Sequence, residues 1–269
     1  MGSAPGPNTN IGRAAALLPW VVPLALLIAW AAAGGQRPER AALLPAPAAV
    51  VSAAFRLIDN GELAHHVRVS LGRALLGLAI GGGAGLALGL LNGCWPVAEG
   101  LLDTPVQMAR NVPHLALIPL VILWFGLGEP SKIFLVALGV LFPIYLNTFH
   151  GVRAIDPGLI EMARLYGLRG WPLFWQVVFP GALPAILVGL RFALGVMWLS
   201  LIVAETIATD AGIGYLAMSA REFMQTDVVV LSVLLYAALG KLADSAARLL
   251  ESRFVGWEPR RLRKAAVAS

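Results

Sequence analysis

The sequence predicts an all-α membrane protein with six transmembrane helices. Hydrophobic residues make up 58% of the 269-residue chain and charged residues only 13%, and the mean hydropathy is +0.77. A soluble globular domain does not need so large an apolar share. The apolar residues fall into runs of about twenty residues with few charges, the length at which a helix crosses a membrane. The six predicted spans cover residues 14–33, 67–91, 114–126, 132–150, 182–205 and 228–250.

The N-terminal region divides into a polar start and a first span. Residues 1–13 are small, polar and rich in glycine and proline, which predicts a disordered segment. A secretory signal peptide is the alternative to a span at 14–33, because Ala31–Ala33 resembles a cleavage site. The run is long for a signal peptide, and further apolar runs follow it. An uncleaved first span is therefore favoured.

The second span, residues 67–91, contains four glycines at a spacing of four: Gly77, Gly81, Gly85 and Gly89. Residues four apart lie on one face of a helix. Small residues at this spacing let another helix backbone approach closely within a membrane. The stripe is therefore predicted to be a helix-packing surface.

The third span is predicted to be irregular. A helical segment at 96–109 approaches it, and Asn111 to Pro113 interrupt the helix. Residues 114–126 then complete the span, with a kink expected near Pro119. The fourth span, 132–150, follows after a tight turn and has Pro143 inside it.

A polar, turn-rich stretch at 156–184 separates the fourth and fifth spans. Asp156 followed by Pro157 is typical of a helix start, with a side-chain acceptor at the N-cap and proline at the first helical position. Gly167 can take the left-handed conformation that closes a helix. A second helical turn is predicted from Trp171, before the chain re-enters the membrane near Pro180.

The C-terminal part is predicted to hold two spans, a polar loop at 206–227 and a basic tail at 251–269. Charged side chains inside these spans are costly, about 2.5–3.5 kcal/mol for a centred Arg or Lys on insertion scales. Lys241 and Asp244 are three residues apart, and we interpret them as neutralising each other. Arg191 has no partner at helical spacing. It would either reach lipid headgroups or face a transport pathway.

The distribution of basic residues predicts the orientation of the chain. Six basic residues lie from Arg248 onward, which places the C-terminus in the cytoplasm. An even number of spans then puts the N-terminus and residues 156–180 on the same side. A nucleic-acid-binding tail is the alternative interpretation of Arg260–Lys264, but no nucleic-acid-binding module accompanies it.

Several chemistries find no support in the sequence. No phosphate-binding G-x-x-x-x-G-K-[ST] motif is present, so this chain is not expected to hydrolyse ATP. The four histidines and the single cysteine, Cys94, do not show metal-ligand spacing. No G-x-S-x-G nucleophile motif occurs. No catalytic residue, metal site or bound cofactor is therefore predicted.

Within residues 156–180, Glu161-Met162-Ala163 is followed after three residues by Gly167 and after nine more by Val177-x-Phe179-Pro180. This spacing resembles the EAA loop of ATP-binding-cassette importer permeases, whose pattern is E-A-A, three residues, G, nine residues and I-x-L-P. This chain differs from the family pattern at three positions, Met162, Val177 and Phe179, and each replacement is apolar. The resemblance implies a type I importer permease with a cytoplasmic coupling helix that docks on a separate ATPase. The docking residues it implies are Glu161, Met162, Ala163, Gly167 and Pro180.

A wider resemblance covers roughly residues 43–251. The stretches at 110–129, 132–151, 191–218 and 221–230 are similar to permeases of aliphatic-sulfonate importers, a group that includes taurine and nitrate permeases. It implies an inner-membrane homodimer, two ATPase subunits that bind ATP and magnesium, and a periplasmic sulfonate-binding protein. Taurine, nitrate or another small anion is the alternative substrate, and a secondary transporter the alternative mechanism. An anion path suits basic and polar groups at span centres and breaks; the candidates are Arg110, Asn111, His114 and Arg191.

Overall fold

The computed structural model describes residues 9–34, 44–207 and 209–255 of the chain. All regular structure in these residues is helical. We number ten helices: α1 Thr9–Ala33, α2 Pro47–Asp59, α3 Glu62–Cys94, α4 Pro96–Arg110, α5 Ile118–Phe125, α6 Glu129–Arg153, α7 Pro157–Leu165, α8 Trp171–Glu205, α9 Ile213–Glu222 and α10 Thr226–Phe254.

Four of the described helices are long and apolar enough to cross a membrane: α3, α6, α8 and α10. The bent pair of Pro96–Arg110 and His114–Phe125, at 79° to each other, would make a fifth span if it crosses as one unit. The apolar part of α1, Val21–Ala33, is shorter than any of these four helices. The all-α membrane fold is thus confirmed, whereas the count of six spans stays a prediction.

The predicted third span at 114–126, with its helical approach segment and break, corresponds to this bent pair. A 3₁₀ turn, His114–Leu117, leads into α5, and together they reach only about 20 Å. The hydrocarbon core is about 30 Å thick, so this unit does not cross alone. The break lies at Asn111–Pro113 and not at Pro119, because Pro119 sits in the first turn of α5, where no N–H is needed.

Other boundaries also differ from the predicted ones. Residues 9–13 belong to α1 instead of a disordered start, while residues 1–8 lie outside the described part. Helix α3 begins at Glu62, where Asn60 Oδ1 accepts a hydrogen bond from the Glu62 backbone N–H at 3.0 Å. The expected polar loop at 206–227 contains α9. The start of the predicted tail is helical to Phe254, and residues 256–269 lie outside the described part.

Helix α6 is the centre of the bundle, with α3 packed along one side and α8 along another. The main apolar core lies between these helices and α10, where Val140 and Leu201 are fully buried. In the most apolar stretch of α6, 50% of the residues are buried inside the bundle, whereas the corresponding share for α10 is 22%. The bundle therefore holds α6 from both sides and leaves α10 at its edge.

The glycine stripe of α3 lies directly against α6. A Cβ atom added at Gly77 or Gly89 would clash with Val136 or Thr148, and one at Gly81 or Gly85 would overlap a backbone carbonyl of α6. The two backbones are therefore close enough that no side chain fits between them, which is how small-residue faces associate in membranes.

Replacing Gly81 by leucine will lower the yield of folded protein severely, because the side chain would have to displace the backbone of Ala137. Gly83 on the same helix is the matched control, since a Cβ there meets nothing within 4 Å. The measurement is the monodisperse fraction on size exclusion in detergent for Gly81→Leu and Gly83→Leu. Equal yields would show that the α3–α6 contact does not support the fold.

Candidate functional site

The segment between the fourth and fifth spans forms a short helix with defined ends. At the start of α7, Asp156 Oδ1 accepts a hydrogen bond from the Gly158 backbone N–H at 2.8 Å. At the end, Gly167 has φ +88°, and the Leu168 N–H donates to the carbonyl of Ala163 at 3.0 Å. These are the N-cap and the left-handed C-terminal motif that the sequence predicted.

Helix α7 exposes an apolar surface. We define the α7 patch as the outward-facing side chains Leu159, Met162, Leu165 and Tyr166. Leu165 and Tyr166 are 89% and 83% exposed, and the other two are about half exposed. Glu161 and Arg164, also exposed, border the patch. Exposed apolar side chains grouped on one helix are typical of an interaction site for another protein or for a membrane surface.

Ala163 was predicted to contact a partner, and the structure places it on the opposite side of α7. Its exposure is only 6%. Ile160, one turn earlier on the same inner face, packs against a cluster that includes Ile155 and Ala182. The family resemblance had grouped Ala163 with the docking residues. The inner face is instead used to hold α7 against the bundle.

Pro180 lies inside α8, so the predicted separate turn and membrane re-entry form one continuous helix. A regular α-helix would bring the Pro180 ring against the carbonyl of Gln176. A π-helical turn at Phe174–Val178, where the Phe179 N–H bonds the carbonyl of Phe174, precedes the proline. Such a turn changes the backbone register locally and so accommodates the ring. Helix α7 contacts this turn, which joins it directly to α8.

The break between α4 and α5 carries three of the predicted path residues. Arg110 and Asn111 are exposed, and His114 is half-buried. His114 Nε2 lies 2.9 Å from Ser200 Oγ of α8. Both side chains lie over Gly139 of α6, where a Cβ would clash with Ser200. His114 therefore joins the break to α6 and α8 at one point.

Arg191 does not belong to this group. It lies nine residues before Ser200, which places it about 180° away around α8. Its Nε donates to Asp244 Oδ1 of α10 at 2.7 Å. The structure therefore brings three of the four path candidates to one break and sets Arg191 on the opposite face.

The expected ion pair of Lys241 with Asp244 is present, but it is the longest of the three that Asp244 makes. Asp244 pairs with Arg191 at 2.7 Å and with Arg248 at 2.6 Å, whereas Lys241 Nζ is 3.8 Å away and 69% exposed. Spacing along one helix could not reveal the partner on α8. Asp244 thus has three cationic neighbours, and the group carries an excess of positive charge.

A buried polar network was not predicted at all. Glu205, at the end of α8, has no solvent exposure. Its carboxylate accepts hydrogen bonds from Ser70 Oγ at 2.8 Å, Tyr236 Oη at 3.0 Å and the Gly214 N–H at 3.0 Å. It also forms an ion pair with Arg73 Nη1 at 2.9 Å. Four donors satisfy this buried charge, as a buried carboxylate requires.

Arg73 extends the network to a fifth helix, α6. Its Nε donates to Glu129 Oε2 at 2.7 Å, and its Nη2 contacts the second oxygen of the same carboxylate. Its Nη1 also donates to the carbonyl of Ala211 at 2.6 Å. One guanidinium therefore ties α3 to α6, α8 and the turn before α9. The sequence did contain a signal for this network: Arg73 lies inside one apolar run, and Glu129 and Glu205 lie at the ends of two others.

The turn before α9 completes this network. Gly212 has φ +118°, a conformation that favours glycine. The first N–H groups of α9 have no partners within the helix. The Gly212 N–H donates to His66 Nδ1 at 3.1 Å, and the Ile213 N–H donates to Ser70 Oγ at 2.8 Å. Side chains of α3 and α8 thus cap α9 and fix it across the helix ends.

These features define a class of protein. They comprise apolar helices long enough to cross a membrane, a polar break between them and a short surface helix with an apolar outer face. Within the described residues, no group of three or more His, Cys, Asp or Glu side chains could hold a metal ion. The arrangement is that of a helical membrane permease.

The chain belongs to the family described as the binding-protein-dependent transport system inner membrane component, which it matches over residues 71–256. It is a multi-pass inner-membrane transport component, and ATP hydrolysis in such systems belongs to a separate subunit. The family-level prediction from the sequence is confirmed.

Individual relatives agree with this assignment. The chain is 59% identical over 241 residues to the putative aliphatic sulfonates transport permease protein SsuC of Escherichia coli strain K12, covering 90% of this chain and 92% of that one. It is 44% identical over 237 residues to the protein of the same name from Bacillus subtilis strain 168, covering 88% and 86%. A crystal structure of an amino acid ABC transporter has a similar fold, with a TM-score of 0.58, 18% identity and coverage of 70% and 92%.

Proposed function

We propose that this chain is the permease of an ATP-driven importer of aliphatic sulfonates. The observation that carries the proposal is the 59% identity to a putative aliphatic-sulfonate permease over nine-tenths of both chains. A sulfonate is a monoanion at neutral pH. The break that carries Arg110, Asn111 and His114 offers cationic and neutral polar groups, which suit an anion. Permeation of taurine or nitrate, or secondary transport, is the competing proposal.

The α7 patch is the proposed docking surface for an ATPase subunit. Leu165 and Tyr166 are the most exposed apolar side chains of α7. Its inner face packs on the bundle and contacts the π-helical turn that leads into α8. Movement of a docked ATPase would therefore reach α8, and with it Ser200 beside His114. The ATPase, in two copies, would bind ATP and magnesium.

A second copy of this chain is the proposed partner at the break. Helix α4 has no buried residue, and its exposed apolar side chains include Val97 at 74% and Leu101 at 69%. A homodimer across α4 would place two breaks opposite each other and form one central path. We propose cytoplasmic termini, α7 on the cytoplasmic side, and a sulfonate-binding protein on the opposite side.

Deletion of the gene in a strain without a redundant importer will abolish growth on an alkanesulfonate as sole sulfur source, because the anion does not cross the bilayer unaided. Growth on sulfate is the control and will be unchanged. The measurement is the growth rate on alkanesulfonate, taurine and sulfate, with the gene restored on a plasmid. Normal growth on alkanesulfonate would contradict the proposal, and loss of growth on taurine alone would favour the alternative substrate.

A further inference from the structure

The group around Asp244 is a cluster of three cations with a single carboxylate. We define the cationic cluster as Arg191 of α8 with Lys241, Asp244 and Arg248 of α10. Asp244 is the only acidic ion-pair partner that these three basic side chains have among the described residues. The formal charge of the cluster is therefore +2. An uncompensated charge of this size within membrane helices requires an anion or water.

The cluster opens to the outside of the bundle. Lys241 is 69% exposed, and Arg248 is 39% exposed. The neighbouring side chains are apolar and also exposed, with Phe192 at 68% and Leu242 at 65%. An apolar helix surface that carries exposed basic groups fits the boundary between lipid tails and headgroups, because long basic side chains reach headgroups while their stems stay among the tails.

The depth of the cluster agrees with this location. Arg191 lies fourteen residues before Glu205, which is about 21 Å along α8. Arg191 lies near the middle of the Phe179–Glu205 segment. The hydrocarbon core is about 30 Å thick, so with Glu205 at one surface Arg191 lies about 9 Å from the other. The cluster is thus within reach of the membrane surface on the side where α10 ends at Phe254.

Asp244 also holds the guanidinium groups in place. It accepts from Arg191 Nε and pairs with one terminal nitrogen of Arg248. No further hydrogen bond of these two guanidinium groups is found within the described residues, so several of their N–H donors have no acceptor in that part of the chain. Fixed guanidinium groups bind phosphate oxygens in a bidentate manner, and basic pockets between membrane helices bind lipid phosphates.

We propose that the cationic cluster binds the phosphate group of an anionic phospholipid. Asp244 orients the two arginines, and Lys241 adds a mobile charge at the rim. The site lies on the face of α8 opposite Ser200, so it is separate from the break that carries the proposed sulfonate path. It does not depend on which anion the permease transports.

The test is phosphatidylglycerol binding by the full-length chain in detergent, with bound lipid counted by native mass spectrometry. Lys241→Gln with Arg248→Gln will weaken binding about fivefold for each charge removed, or about 25-fold together. Arg68→Gln is the matched control, because Arg68 is exposed near the other end of the bundle. It will bind as the wild type does. Phosphatidylcholine will not bind at the site in any of the proteins.

Three results would overturn the proposal. Equal phosphatidylglycerol binding by the double variant and the wild type would exclude the cluster as the site. Displacement of the lipid by millimolar inorganic phosphate or a soluble alkanesulfonate would identify a site for small anions. Dissociation of the double variant into monomers on size exclusion, where the wild type is dimeric, would assign the surface to contacts between copies. Because Lys241 is largely exposed, Lys241→Gln alone supplies a folded variant for the same comparison.

Discussion

Replacing Leu165 by aspartate will detach the ATPase subunit and abolish ATP-driven uptake, while the permease remains folded in the membrane. Leu165 is 89% exposed in the isolated chain, so the substitution disturbs no internal contact. In a docked complex, the same position would place a carboxylate in an apolar interface. Loss of a central apolar side chain costs about 2 kcal/mol or more, and a desolvated charge adds to this cost. We expect at least about a thirtyfold loss of ATPase affinity.

The measurement is pull-down of the ATPase subunit on the tagged permease, paired with sulfonate uptake in membrane vesicles. Phe223→Asp is the matched control for the pull-down, since Phe223 is 73% exposed and lies at the end of α9. It will retain the ATPase. Full ATPase binding and full uptake by Leu165→Asp would show that the α7 patch is not the docking surface.

The choice of Leu165 follows from the direction in which α7 faces. Ala163→Asp is a poor test of docking, because Ala163 is buried within the chain and the substitution would disturb α7 itself. Gly167→Val is a useful second variant. Its φ of +88° disfavours a β-branched residue by about 1–2 kcal/mol, so the variant should shift the end of α7 without replacing any side chain of the patch.

Replacing Glu205 by alanine will destabilise the permease by about 3–5 kcal/mol, because it leaves Arg73 as a buried charge without one of its two acidic partners. Arg73 is 2% exposed and Glu205 is fully buried. The substitution also removes acceptors from Ser70 Oγ, Tyr236 Oη and the Gly214 N–H. We expect a large loss of folded protein and a lower thermal midpoint in detergent.

A second ion pair provides the control for this experiment. Arg56 pairs with Asp227 at 2.9 Å, with Arg56 67% exposed, and exposed pairs contribute about 0–1 kcal/mol. Arg56→Ala will therefore shift the thermal midpoint little. Equal midpoints for Glu205→Ala and the wild type would contradict a structural role for the network. Partial recovery in the Arg73→Met/Glu205→Ala double variant would support it, since no unpaired buried charge then remains and Glu129 is 54% exposed.

Local chemistry was sufficient to predict some elements. The ends of α7 follow from Asp156, Pro157 and Gly167, because capping depends on residues a few positions apart. The glycine stripe could also be predicted from the sequence, since residues four apart share a helix face. The helix that packs against it could not be predicted, because nothing in the sequence around Gly81 identifies α6.

The remaining features depend on contacts between distant residues. Arg73 and Glu205 are 132 positions apart, and Arg191 and Asp244 are 53 apart. Spacing within one helix therefore left Arg191 without a partner and gave Asp244 only the longest of its three ion pairs. The inward direction of Ala163 likewise depends on where the cluster around Ile155 lies, which the helical period of α7 alone does not determine.

The central claim is that this permease transports only when an ATPase acts on it. The most direct measurement is uptake of a radiolabelled alkanesulfonate into proteoliposomes that contain the permease with or without its ATPase subunit, in the presence of the binding protein. The account predicts uptake only when the ATPase and hydrolysable ATP are both present. Uptake by the permease alone, driven by an imposed ion gradient, would contradict it and identify a secondary transporter.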